Sequence, residues 1–180
     1  MITPEQFSEM WGPGLVRTEP AAVVGVNIPE AARRFLTEAG LPAQADYDIR
    51  FSRPEDELPT LPEAFPNGYS FPPEYNHFHP IGVDGTTLLC LEEATGFVYS
   101  IDIDEQGIPT RLVNSGIPEL AECLLVNRVT SQEDEDEDKD EDEASQLLIQ
   151  ALEKKMQCID PLAMHDPNNY WPQFFRAALL

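Results

Sequence analysis

Two histidines two positions apart, His77 and His79, are the first residues in this chain whose type and spacing could do chemistry. On an extended segment alternate side chains leave on the same side. Both imidazoles would then face one ligand, and with a nearby carboxylate they could hold zinc. No third ligand follows at a diagnostic spacing. The remaining histidine is His165, and Cys90, Cys123 and Cys158 form no close-spaced pair. His77 and His79 therefore read as loop histidines, and the odd set of cysteines as buried or partly buried free thiols in a reducing compartment. Asp102-Ile103-Asp104-Glu105 lacks the oxygen offsets and turn glycine of a calcium loop. No phosphate-binding loop, nucleophile elbow or dinucleotide fingerprint is present. With thirty-three acidic residues any chosen carboxylate pair is uninformative. The expectation is a protein with no catalytic set, no metal and no cofactor, which acts by binding. A small metal-dependent enzyme using His77, His79 and an acid is the alternative.

Charge says what such a protein would bind. The net charge is -22 over 180 residues. Residues 133–143 (EDEDEDKDEDE) hold ten acids and one lysine, residues 144–180 three acids and three bases, and residues 1–132 twenty acids and seven bases. The body of the fold is therefore acidic as well as the run. Such a field repels nucleic acid and anionic lipid, and it speeds encounter with basic proteins. No stretch approaches the roughly 20 apolar residues of a membrane span. The N-terminus has neither a basic region nor an apolar core of a secretory signal, so a cytoplasmic protein is expected.

The elements that must position these groups follow from local rules. Thr3-Pro4-Glu5 opens a first helix that Gly12-Pro13-Gly14 ends, with an extended piece to follow at 15–17 or 22–26. Pro29 opens a second, whose stripe of Ile28, Ala31, Ala32, Phe35, Leu36 and Ala39 ends at Gly40 and Pro42. Residues 49–52 suggest a strand. Residues 53–76 contain six prolines and read as a long ordered loop whose Phe65, Tyr69, Phe71 and Tyr75 pack over apolar surface. From residue 79 the period becomes two. Residues 80–83, 86–91, 97–103 and 110–114 read as four strands, joined by Asp84-Gly85, Ala94-Thr95-Gly96 and Glu105-Gln106-Gly107. Short turns imply an antiparallel meander. Phe97, Tyr99, Ile101 and Ile103 share one strand face, expected to lie against helices; Val98, Ser100, Asp102 and Asp104 share the other, expected to be polar and available. Helices are predicted over 117–129, 144–159 and 168–180, and Asp160-Pro161 interrupts between the last two. The acidic run, taken as 132–144, cannot bury anything and reads as a disordered linker or loop before the C-terminal helices.

Four segments together suggest a family. Phe35-Leu36-Thr37-Glu38-Ala39-Gly40-Leu41-Pro42 resembles the early helix end of the SUKH superfamily, in its fourth branch. Gly82, Leu89-Cys90-Leu91 and Gly96-Phe97-Val98-Tyr99 are similar to that branch's run of strands. Leu112-Val113-Asn114-Ser115, leading into Pro118-Glu119-Leu120-Ala121-Glu122-Cys123-Leu124, resembles its strand-to-helix junction, and Ile159-Asp160-Pro161 with Trp171 its closing segment. Gly116 and Leu120 stand where serine and phenylalanine are common, and the acidic run is an insertion.

The resemblance implies one α+β domain over residues 1–180, with a single, largely antiparallel sheet and helices packed against it. It also implies immunity: binding and blocking a cognate bacterial toxin, of a kind that is often a nuclease or deaminase with a basic cleft. An acidic inhibitor can fill such a cleft. The expected contact residues are Asp102 and Asp104 on the polar sheet face, Glu92 and Glu93 beside it, and Glu55, Asp56 and Glu57 in the loop. A basic protein toxin is the expected partner of a monomer, with nucleic acid and membrane excluded. A regulatory adaptor of the same fold and a nucleic-acid mimic are the competing binding functions.

Overall fold

Local chemistry starts each helix. Thr3 Oγ1 accepts from the Gln6 amide at 3.2 Å while the Gln6 side chain accepts from the Thr3 amide at 3.0 Å, a capping box with Pro4 at the first helical position. The resulting α1 spans Pro4–Trp11 and buries Phe7 and Trp11. Helix α2, Glu30–Glu38, buries Ala32, Phe35 and Leu36. It ends at Gly40, whose φ of +79° and approach to Val16 leave no room for a side chain: a Cβ there would lie 2.2 Å from the Val16 carbonyl oxygen. That close approach seats the two-residue strands β1, Leu15–Val16, and β2, Leu41–Pro42, against each other. Of the two places where an extended piece was expected early in the chain, the first holds this strand; residues Pro20–Val23 form a 3₁₀ turn.

The computed structural model describes residues 1–45, 48–52, 57–67, 69, 71–103, 110–133 and 141–178. Within them the main sheet holds β3 (Ile49–Phe51), β4 (Phe78–Asp84), β5 (Thr87–Glu92), β6 (Val98–Ile101) and β7 (Thr110–Asn114), an antiparallel meander in chain order. A bulge between Pro80 and Gly82 bends β4. Gly82 is needed there because a Cβ would meet the Arg50 carbonyl oxygen at 2.5 Å. The proline-rich loop contributes a short helix α3, Leu61–Ala64, and a 3₁₀ turn, Pro73–Tyr75. The remaining helices are α4 (Ile117–Glu133), α5 (Glu141–Ile159), α6 (Pro161–His165) and α7 (Tyr170–Ala178). The predicted fold class is the one observed, a mixed α+β domain with helices against an antiparallel sheet. Helices α4 and α5 take in both ends of the acidic run; 134–140 lie outside the described residues.

Both faces of the sheet are covered, and the assignment of faces differs from the expected one. Leu89 and Leu91 of β5, Val98 of β6 and Val113 of β7 join the helices in the larger core. Leu88, Cys90 and Ile101, with Tyr99 and Ile103 partly buried, pack under the proline-rich loop with Leu61, Tyr75 and Phe78. Thus Ser100, expected on an available polar face, is buried on the helix side, directly opposite Leu89. Alternation tells which residues share a face, but not which layer covers it. Six helices must bury their stripes somewhere, and the Val98–Ser100 side is the one they reach. The loop aromatics then cover the other, as expected of them. Burying side chains such as Phe7, Phe35, Trp171 and Phe175 is worth about 1.5–3 kcal/mol each.

The two C-terminal helices are fixed by a buried carboxylate. Asp160 Oδ2 accepts from Ser115 N at 2.7 Å and from Asn114 Nδ2 at 3.0 Å. Its Oδ1 accepts from Ser115 Oγ at 3.0 Å and from Ala163 N at 3.2 Å, capping α6. Asn114 Oδ1 in turn accepts from Trp171 Nε1 at 3.0 Å. Asp160, Asn114 and Trp171 are each at most 1% exposed, so every lone pair and donor here depends on the others. Asp160→Ala is expected to cost about 3 kcal/mol or more, because several buried donors lose their acceptor together. Urea unfolding checks this as a lowered midpoint; a midpoint equal to wild type would show that the network holds nothing.

Candidate functional site

The acidic residues singled out in the sequence fall into three groups. Glu55, Asp56 and Asp104 lie outside the described residues. Asp102 sits half-buried just beyond β6. Glu57, Glu92 and Glu93 gather near the start of β4 and the end of β5, where His77 and His79 also lie.

Glu92 is turned into the protein. It is 8% exposed, and its carboxylate accepts from Ala94 N at 3.1 Å, Thr95 N at 2.8 Å and the Thr95 hydroxyl, closing the β5–β6 turn. Burial opposes its ionisation, but the Thr95 hydroxyl, the two amides and nearby His77 outweigh that and hold its pKa below the usual carboxylate range. Its role is local: it shapes the turn that presents Glu93.

His77 and His79 part company. His77 Nε2 stands 3.6 Å from Glu92 Oε1 and its side chain is 42% exposed. His79 is buried. Its Nδ1 donates to the Pro59 carbonyl at 2.9 Å, with Leu58 O at 3.2 Å, and its Nε2 lies 2.9 Å from Glu93 Oε1. Both of its nitrogens are thus engaged, and its job is to fasten the proline-rich loop to β4. Among the described residues no group of three or more His, Cys, Asp or Glu side chains stands where it could hold a metal ion. Burial raises the thiol of Cys123 to about 12, far from a nucleophile's range.

Around His79 opens a groove of about 390 Å³. One wall is the turn at residues 21–26, held by Arg33, which donates to the carbonyls of Val23 and Val26. Glu57, Thr60 and Glu63 also line it, with Glu93 beside the histidine. The Thr60 amide and hydroxyl each donate to Glu63 Oε2 at 2.8 Å, and these two bonds lower the Glu63 pKa. Val24 rises at the rim, 72% exposed. So the fold brings Glu57 and Glu93 together and adds Glu63 and Val24, which sequence reading missed. The Thr60–Glu63 capping-box spacing was a signal for Glu63. Nothing local signalled Val24, because its exposure depends on how the turn is held.

The class this architecture defines is an α+β domain with a doubly covered meander and an acidic groove at one end of it. The chain belongs to the SUKH-4 immunity protein family, whose sequence model matches residues 2–177. No curated protein and no solved structure matches it. The segments that carried the resemblance meet in space: Asn114, Ser115, Asp160 and Trp171 form the buried network, and Gly40 and Gly82 sit at the two close backbone approaches.

Glu92→Gln is expected to lower stability at neutral pH by about 1.5 kcal/mol, since three bonds to a charged acceptor are weakened. The folded pKa is depressed, so the stabilisation is present above the unfolded value and is lost as pH falls through the folded one. Denaturation series from pH 7 to pH 3 should show wild type and variant converging on the acid side. A gap that stays constant with pH would refute the assigned role.

Proposed function

We propose that this chain is the immunity half of a bacterial toxin–immunity pair: as a cytoplasmic monomer it binds a cognate protein toxin and blocks it, without chemistry of its own. Membership of the SUKH-4 immunity protein family carries the reading. The net charge of -22 supports a finer statement, that the toxin is basic and of the nuclease or deaminase kind, with a cleft built for a polyanionic substrate. An acidic surface would compete for such a cleft and would raise the association rate at low salt. Glu57 and Glu93 belong to the proposed contact surface; Asp102, at the other end of β6 from the turn that presents Glu93, would extend it along the sheet, and Glu55, Asp56 and Asp104 extend the proposal along the same segments. Glu92 contributes through the turn it holds.

The test is co-expression with the toxin domain encoded by the adjacent gene. Cells carrying both genes are expected to grow where cells carrying the toxin alone do not. The purified pair should form a one-to-one complex whose association slows as salt rises. Absence of both protection and complex formation would sink the reading, and a complex that leaves toxicity intact would make the chain an adaptor instead.

A further inference from the structure

The charge of this protein is segregated as well as large. Between Arg53 and Arg111 the sequence contains no lysine or arginine, yet it contains eleven acids. That stretch builds α3, the loop packing over the outer sheet face, and strands β4 to β6. Seven of these acids lie among the described residues, and one of them, Asp84, accepts from Tyr170 of α7. The outer sheet face also carries Arg50 of β3, directly opposite Val83, while the helical side carries Arg33, Arg34, Arg128, Lys154, Lys155 and Arg176.

Residues 57–65 line two grooves of opposite character and so form a ridge between them. Glu57, Glu63 and Glu93 line the groove described above. Pro59, Ala64 and Phe65 line a second groove, of about 250 Å³, whose far wall is Pro80, Val83 and Leu88. That wall is apolar, and it lies beside the packed rings of Phe65, Tyr69 and Phe71, of which Tyr69 is 42% exposed. A mainly apolar slot walled by aromatic and proline side chains, beside a groove lined by glutamates, matches the anatomy of a binding hot spot: an apolar anchor site next to a charged rim.

We infer that the 57–65 ridge is the docking element for a partner protein, which inserts one apolar side chain into the Ala64–Leu88 groove and lays a neighbouring lysine or arginine in the Glu57–Glu63–Glu93 groove. Charge complementarity selects that occupant: a groove lined by Glu57, Glu63 and Glu93, with no lysine or arginine in its lining, favours a basic side chain, and the slot beside it requires an apolar one. The identity of the partner as a toxin rests on the function proposed above; the surface does not.

Two measurements separate those claims. The first maps amide chemical shifts of the full chain during titration with the peptide acetyl-Arg-Leu-Arg-amide. Shifts are expected at residues 57–65, 80–83 and 88, and should vanish in Ala64→Trp, which fills the slot. Shifts spread evenly over the acidic surface, or centred on α1 or α7, would overturn the inference. The second measures affinity for an inactivated toxin domain from the adjacent gene. Ala64→Trp and Glu57→Lys are each expected to weaken binding at least tenfold, while Glu9→Lys on α1 stays within twofold of wild type. Glu57 is exposed, so Glu57→Lys serves even if Ala64→Trp does not fold. Wild-type affinity in both variants would overturn the docking ridge. If wild type fails to bind the toxin domain while the peptide map holds, the immunity reading falls and the ridge stands.

Discussion

The Asp160 carboxylate is withdrawn from water, and the four hydrogen bonds it accepts all come from neutral donors. A buried charge of this kind is tolerable only when its lone pairs are filled. The donors come from the end of β7, the turn after it and the first turn of α6, so the carboxylate holds its place only if all three are assembled. Trp171 then closes over Asn114 from α7. Those helices follow a run of strongly like charge, whose composition offers no apolar side chains to bring them back. Their return to the sheet depends on this junction and on the apolar side chains around it.

From that junction the rest of the architecture follows. With α4 to α7 anchored on one side of the sheet, the face bearing Leu89, Val98 and Val113 is sealed. The opposite face bears Leu88, Cys90 and Ile101, which no helix longer than α3 covers. The proline-rich loop does that work, fastened by His79 to Pro59 and Glu93 and by Leu58 to Ala22. Prolines make such a cover affordable in entropy, since a chain already restricted loses less on ordering. The loop that seals the second core carries Glu57, Glu63 and Glu74 and no lysine or arginine among its described residues. These glutamates therefore lie over an aromatic-packed support, as pre-organised recognition requires.

Much of this was legible in the residues. Thr3-Pro4 and Pro29 marked their helices, the turn glycines marked the meander, and the residues of 110–114 matched β7. The segments that carried the family resemblance include Asn114, Ser115, Asp160, Trp171, Gly40 and Gly82. The structure gives the physical reason those residues stand out: four satisfy one another's buried polar atoms, and two are glycines where a side chain has no room. The candidate site was half legible. Glu57 and Glu93 could be picked out as acidic and near turns. Glu92 could not be told from Glu93, although one faces the turn and the other the groove. Glu63 and Val24 were not picked out, and His79 was read as a loop histidine when it is a fastener in the core.

The sequence by itself determined the element types, the antiparallel order of the strands, the sign and unevenness of the charge, and the family. These are properties of local spacing and composition, written into neighbouring residues. The tertiary structure alone decided which sheet face the helices take, which carboxylates point outward, and that a ridge separates an acidic groove from an apolar one. Each of these depends on contacts between segments far apart in the chain: Asp160 with Asn114, His79 with Pro59, Ala64 across from Leu88. A strand's alternation is symmetric between its two faces, and only packing against something else breaks that symmetry.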